Sequence, residues 1–304
     1  MLVEERKQKS RLRWRENAVG WLYVSPMLIG IALFTAIPLV MSIMAMFYNW
    51  TGYTSLFESK FLGMENIKSV LYGLNSDLYW RSVLNTLLFA LQLPICLILG
   101  MFLALGMNRK MRSAQTFRVI YYLPGVMSIV AVAIVWQNIF KADGSINNLL
   151  QTLHLPTVKW LSSKSGVAFT VNLLQVWKGV GYSTLMFIAG LQSVSTDQIE
   201  AAKIDGADSG RILLKITLPA LYPIIFYLFV TGLMGSLQMF NEPFILLGGY
   251  GVGNNGMTAV GFVYNFFGSH RLGIASVGAW VLAFMIFIIT AIQMGVDRLK
   301  REAA

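Results

Sequence analysis

The chain has 304 residues, of which 56% are hydrophobic and 12% charged, about half the charged share of roughly 25% found in soluble domains. Its 24 Lys and Arg against 14 Asp and Glu give a net charge of +10, yet the basic residues sit at the edges of long apolar runs rather than in the polar-interleaved patches that nucleic-acid binding favours. These sums exclude soluble globular, collagenous, disulfide-scaffold and disordered classes and leave a multi-span membrane protein; the lone Cys96 forbids an intrachain disulfide, and with only His154 and His270 a Cys/His zinc site is nearly excluded.

In chain order, the first 17 residues carry six basic side chains (Arg6, Lys7, Lys9, Arg11, Arg13, Arg15) before Ala18 opens a stretch without charge until Glu58. That stretch exceeds the apolar core of about 7–15 residues in a signal peptide and no small-residue cleavage site follows it, so it is expected to be an uncleaved first span. The loop 48–82 carries Trp50, Tyr53, Tyr72, Tyr79 and Trp80, aromatics that favour the headgroup level. It has room for a short interfacial helix and reads as a membrane-interface cap or as a docking surface for an external partner. A bilayer core of ~30 Å needs about 20 helical residues, and Val83–Met107, Val119–Phe140, Val167–Leu191, Tyr222–Leu247 and Ile274–Gln293 meet that need. Lys178 interrupts the fourth span, and Asn241, Glu242 and Pro243 interrupt the fifth.

The expected fold is therefore an all-α integral membrane bundle of six spans. One membrane domain covers 18–297, between a basic segment 1–17 and a tail 298–304. Sixteen basic residues fall in the N-terminal segment, the 108–118 loop, the 193–219 loop and the tail, against seven in the opposite loops. Short basic loops stay cytoplasmic, which places both termini inside and the chain in the cell membrane. Prolines in or beside the spans point to a packed bundle, where neighbouring helices satisfy the freed carbonyls.

Gly251-Val252-Gly253-Asn254-Asn255-Gly256 matches a dinucleotide pattern by letter, but it falls in an external loop rather than between a strand and a helix. No Walker sequence, metalloprotease pair or Gly-x-Ser-x-Gly elbow occurs, so nucleotide hydrolysis would have to come from another chain. In the 193–219 loop, Ser195 or Asp197 can cap a short helix through Ile199–Asp205, Gly206 can supply a left-handed exit, and Asp208 or Ser209 can start an amphipathic turn, Arg211–Thr217, before Leu218-Pro219. The paired alanines leave a close-approach face beside Glu200 and Lys203. Such a knob suits a cleft on a cytosolic partner; spacing alone equally allows a plain interhelical loop.

Glu200-Ala201-Ala202, three residues, Gly206, nine residues, Ile216, one residue, Leu218-Pro219 resembles the EAA loop of permease subunits in binding-protein-dependent ABC importers. Seven fixed positions at roughly 5–10% usage each make an accidental match of order ~10⁻⁸ per start. The resemblance runs over about residues 18–297 and is closest to the carbohydrate branch of maltose and glycerol-phosphate importers. Ser25-Pro26 with Pro38, Ser42, Phe47 and Trp50, and Tyr122-Leu123-Pro124 through Trp136, Phe140 and Gly144-Ser145-Ile146-Asn147, are similar to that branch. The usual Thr-x-Gly-Gly-Pro after the fifth span reads Leu247-Gly248-Gly249-Tyr250 here, and the extra spans and external insert of the larger maltose permease are missing.

The resemblance implies a type I importer permease, not itself an enzyme, that binds no cofactor. ATP and Mg are used by two cytosolic ATP-binding subunits, which meet Glu200, Ala201, Ala202, Asp205 and Gly206. A second homologous permease and an external solute-binding protein that delivers a sugar complete the expected partners, along with membrane lipid and no nucleic acid. Lys178 lies near the middle of the fourth span, where a lone Lys costs ~2.5–3.5 kcal/mol on insertion scales, so it should face the interior. Around it Gln175, Trp177, Gly179 and Tyr182 offer the hydrogen-bonding groups and flat apolar faces that sugars need. In the resembled family this stretch and the fifth span line the solute cavity, which makes Gln175, Lys178, Tyr182, Gln238, Asn241 and Glu242 the expected pathway residues. The alternatives stay open: an ion pair of Lys178 with Glu242, a carbonyl of the partner permease as its ligand, or plain interhelical hydrogen bonding at Gln238, Asn241 and Glu242. Importers of polyamines, phosphate or sulfate share the pattern. A gradient-driven carrier would favour two related halves and deep acids, whereas Glu242 is the only acid in these spans; a membrane enzyme lacks any nucleophile, metal set or carboxylate pair.

Overall fold

The computed structural model describes residues 19–107 and 114–302. The basic segment 1–17 and Arg109, Lys110 and Arg112, on which the orientation reading partly rests, lie outside the described residues. The described residues form helices joined by loops, with one isolated bridge between Tyr48 and Phe61: α1 (Val19–Ala45), α2 (Glu65–Leu71), α3 (Ser76–Phe89), α4 (Gln92–Met107), α5 (Ala114–Val126), α6 (Ile129–Phe140), α7 (Ser145–Thr152), α8 (Lys164–Leu191), α9 (Thr196–Ile204), α10 (Ser209–Leu237), α11 (Asn241–Leu246), α12 (Ala259–Gly268) and α13 (Leu272–Glu302). Five stretches, Val19–Ala45, Ser76–Met107, Ile129–Thr152, Ser209–Leu237 and Leu272–Leu299, are long and apolar enough to cross a bilayer. The sixth span, α8, has 28 residues, ample length at 1.5 Å per residue, but is more polar.

That polarity is tolerable because α8 is the axis of the bundle, with α4, α5 and α10 packed along it. Protein rather than lipid surrounds its buried Thr170, Ser183 and Thr184, and the Asn172 amide donates to the Leu88 carbonyl at 3.1 Å. Close approach is what small residues permit in a membrane, where lipid tails are as apolar as leucine and burial alone drives no association. A Cβ on Gly100 of α4 would stand 2.7 Å from Ser183 Cβ. One on Gly181 would collide with the Tyr121 carbonyl of α5. Around this axis the apolar core divides into three clusters, one around Phe187 and Leu221 near the α9 end, one around Phe89, Val171 and Leu246, and one around Tyr79 and Phe262 at the far end.

Two expectations from sequence need correction. The third span is not continuous: α5 carries Pro124 inside it and stops at Val126, and α6 restarts at Ile129 after a non-helical Ser128; Pro124 leaves the Ile120 carbonyl without its helical donor in the last turns of α5. The fifth span is not continuous to Leu247 either. α10 ends at Leu237, Gln238–Phe240 leave helical geometry, and α11 begins at Asn241; Pro243 cannot prolong α10 but fits the first turn of a new helix. Beyond the glycine-rich segment, Thr258 Oγ1 accepts the Gly261 N–H and starts the apolar α12, with Phe262 fully buried. The 48–82 segment, which has room for a short helix, forms α2, preceded by a single 3₁₀ turn at Leu56–Glu58.

Two spans carry a π-turn just before a proline, Ala32–Ala36 ahead of Pro38 and Leu213–Thr217 ahead of Pro219. The residue before each proline donates five back, Ile37 to Ala32 and Leu218 to Leu213. The wider turn makes room where the ring would meet the carbonyl four residues earlier, so each helix continues past its proline. α1 buries only Ala45 and is tied at its far end, where Trp280 Nε1 donates to Ser42 Oγ at 3.0 Å.

Gly181→Val or Gly100→Val is expected to cost about 1–3 kcal/mol by overpacking, read as a lower thermal unfolding midpoint in detergent. Gly106→Ala, with nothing within 4 Å of the new methyl, should leave that midpoint unchanged or raise it. Equal tolerance at the three positions would remove α8 as the packing axis.

Candidate functional site

The connection between α8 and α10 folds as its residue types dictate. Ser195 Oγ accepts the Gln198 N–H and opens α9, with Asp197 in the first turn and Lys203 in the last, the polarity that complements a helix dipole. At the other end the Ala207 N–H reaches the Ala202 carbonyl and the Gly206 N–H the Lys203 carbonyl. This is the paired C-terminal closure that needs a left-handed residue, and Gly206 supplies it at φ +78°. Asp208 Oδ1 then accepts the Arg211 N–H at 2.6 Å and starts α10. Ser195 and Asp208 thus do the capping for which the sequence left Asp197 and Ser209 as alternatives.

The result is a short, doubly closed helix with no buried residue. Glu200, Ala201, Asp205 and Gly206 are exposed and Ala202 is half-buried. Ile204 is 87% exposed, an apolar side chain presented outward on an otherwise polar knob.

The six residues expected along a solute path fall in two groups. Gln175, Lys178 and Tyr182 line up on α8, the first two half-buried and Tyr182 45% exposed. Gln238, Asn241 and Glu242 sit at the non-helical junction of α10 and α11, with Glu242 half-buried and the others exposed. Among the described residues neither Lys178 nor Glu242 has an ion pair, so the Lys178–Glu242 bridge is not formed in this structure. The Lys178 backbone is pressed against α5, its carbonyl 3.2 Å from where a Cβ on Gly125 would stand.

Other groups complete these surfaces. The Tyr182 hydroxyl lies close to that of Tyr227 on α10, with Tyr122 of α5 nearby. All three are 40–47% exposed and give three helices a shared hydroxyl-bearing face. Trp177 lies 5.7 Å from Trp136, which stacks on Phe140 at 5.3 Å. Beside the α10–α11 junction, Phe240 and Tyr264 stand 4.8 Å apart, with Phe244 5.7 Å from Tyr264. Gln92 Nε2 donates to Ser236 Oγ at 2.9 Å, joining α4 to α10. Sequence reasoning missed Tyr227 and Gln92; a polar tip inside an apolar run was their only signal.

The glycine-rich 251–256 segment is a structural turn. Asn85 Nδ2 donates to the Asn254 and Met257 carbonyls, and Asn255 Nδ2 to the Ser162 carbonyl, so part of its backbone is already engaged. Among the described residues no group of three or more His, Cys, Asp or Glu could hold a metal ion.

A helical bundle of membrane-length segments, with a capped, solvent-exposed knob between two of its central helices and polar residues along them, is the architecture of a membrane transport subunit. Residues 96–302 match the family of binding-protein-dependent transport system inner membrane components, and the chain belongs to that family. It is 34% identical over 291 residues to the probable ABC transporter permease protein YesP of Bacillus subtilis, covering 94% of this chain and 92% of that one. The lactose transport system permease protein LacF of Rhizobium radiobacter is 28% identical over 300 residues, 96% of this chain and 98% of that one. In fold, the chain is similar to a solved bacterial ABC transporter involved in import of the acidic polysaccharide alginate. The TM-score is 0.80 at 24% identity, over 95% of this chain and 98% of that one.

Lys178→Ala is expected to change solute uptake or selectivity by roughly tenfold, the worth of one hydrogen bond to a charged group, with recovery of the protein unaltered. A change confined to recovery would give Lys178 a purely structural role.

Proposed function

We propose that this chain is one of two membrane subunits of an ATP-driven importer that takes up a sugar or oligosaccharide handed over by an external binding protein. The observation that carries the reading is α9. It is a helix closed at both ends, without a buried residue, displaying Ile204 beside Glu200 and Ala201. An exposed apolar side chain on a rigid polar knob fits a groove on a second protein, and the lack of any nucleotide-binding sequence in this chain makes an ATP-hydrolysing subunit the fitting occupant. Two copies of that subunit, with ATP and Mg, and a second, similar permease complete the assembly. The sugar assignment is supported by the relatives' names and by the mixture of hydroxyl, amide and aromatic groups on α8 and at the α10–α11 junction.

The geometry supports alternating access. α9 follows α8 after four residues and leads into α10 after another four, so a push on α9 is delivered to both. Those helices carry Gln175, Lys178 and Tyr182 on one side and lead to Gln238, Asn241 and Glu242 on the other. ATP-driven closure of the motor subunits would rock the two permeases until the cavity faces the loaded binding protein, and hydrolysis would return it inward. In this reading α9 and both termini face the cytoplasm.

Glu200→Arg and Gly206→Val should leave the protein inserted and assembled while abolishing solute-stimulated ATP hydrolysis by the complex. The Gly206 change tests loop shape rather than crowding, since nothing lies within 4 Å of an added Cβ and the cost is that of a positive φ at a β-branched residue. Normal uptake and ATPase stimulation in both variants would remove α9 as the coupling element.

A further inference from the structure

At the end of the bundle opposite α9, two cavities of opposite character share one wall. The first, about 240 Å³, is lined by polar groups including Asn49, Trp50, Glu65, Ser69 and Arg271. The second, about 350 Å³, is an apolar groove between α1 and α13, lined by Pro38, Met41, Trp50, Phe267, Ala275 and Ala279 among others. Trp50 stands between them, its indole N–H donating to the Thr54 carbonyl at 2.9 Å.

The frame around this pair of cavities is fixed. The Leu272 N–H donates to the Trp50 carbonyl at 3.0 Å, and the Asn66 amide to the Met46 and Tyr48 carbonyls at 3.0 and 2.9 Å. Gly273 lies so close to this frame that any side chain there would meet the Tyr48 carbonyl. The two charges in the polar cavity are unspent. The Arg271 guanidinium lies 5.1 Å from the centre of the Phe266 ring, and among the described residues neither it nor Glu65 has an ion pair or a side-chain hydrogen bond.

Depth is set by helix length. Pro38 precedes the end of α1 by seven residues, and Ala279 follows the start of α13 by seven, which places the floor of the groove ~10 Å below the helix ends. The polar cavity is then at headgroup level, the indole at the boundary where tryptophan concentrates, and the groove among the acyl chains.

We propose that the two cavities form one binding site for a glycerophospholipid with an amine headgroup. The phosphate sits on Arg271, the headgroup ammonium on Glu65, and the upper part of an acyl chain in the groove between α1 and α13. A guanidinium is the side chain best suited to a phosphate, through charge-assisted paired hydrogen bonds. The Glu65 carboxylate lining the same cavity selects a zwitterionic headgroup over an anionic one. A lipid here fills the seam that joins the otherwise exposed α1 to the body.

The test is native mass spectrometry of the assembled transporter extracted from vesicles of equal phosphatidylethanolamine and phosphatidylglycerol. The wild type is expected to keep phosphatidylethanolamine. Arg271→Ala should lower its retention roughly tenfold, the loss of one charge-assisted contact, and Arg271→Lys should restore much of it. Glu65→Gln should retain lipid but lose the preference for the amine headgroup, and Ala279→Trp should displace lipid by filling the groove with both charges intact. Equal lipid retention by wild type, Arg271→Ala and Ala279→Trp would overturn the proposal. So would a wild type that keeps phosphatidylglycerol as readily, or an Arg271→Ala variant that binds the external protein less well with its lipid unchanged, which would make this face a protein contact.

Discussion

Close contact between α8 and the helices around it is the constraint on which the rest of the bundle depends. A bilayer offers no water to hydrogen-bond backbone or side chain, so a helix carrying Asn172, Gln175 and Lys178 cannot face lipid along its whole length. Gly179 and Gly181 with Ser183 and Thr184 let α4 and α5 approach until backbone meets backbone. Polar groups that would be costly on the outside thereby become interior surface. The same packing explains why the most polar span is also the most central.

Function follows from what is continuous with that axis. α8 runs to the capped knob of α9, and α9 runs into α10 through the π-turn at Leu213–Thr217. A displacement applied to α9 has short, closed connections on both sides and no flexible linker to absorb it. The residues proposed to meet a solute are carried by α8 and by the end of α10, where the helix breaks and Phe240, Phe244 and Tyr264 gather. α1 stands apart from this machinery, held by its far end alone, which is where the mixed polar and apolar cavity lies.

The parts legible in the sequence were those governed by local rules. Apolar run length gave the spans; Gly206 at a left-handed exit and Ser195 and Asp208 as caps gave the α9 knob, because capping depends on neighbours within four residues. The breaks at 127–128 and 238–240 were harder to read. Pro124 and Pro243 marked them, yet Pro38 and Pro219 sit in helices that continue by widening one turn, and nothing local separates the two outcomes. Tyr227 as a partner of Tyr182, and Gln92 as a partner of Ser236, depend on which helices become neighbours. The burial of α12 likewise depends on Tyr79 and Gly278 arriving from distant segments to receive Phe262.

The most direct test is solute uptake into liposomes holding either this chain alone or the complete assembly with binding protein and ATP. The account predicts no uptake by the lone chain, and uptake by the assembly that stops when ATP is replaced by a non-hydrolysable analogue. Transport by the lone chain, driven by an ion gradient and indifferent to ATP, would contradict it.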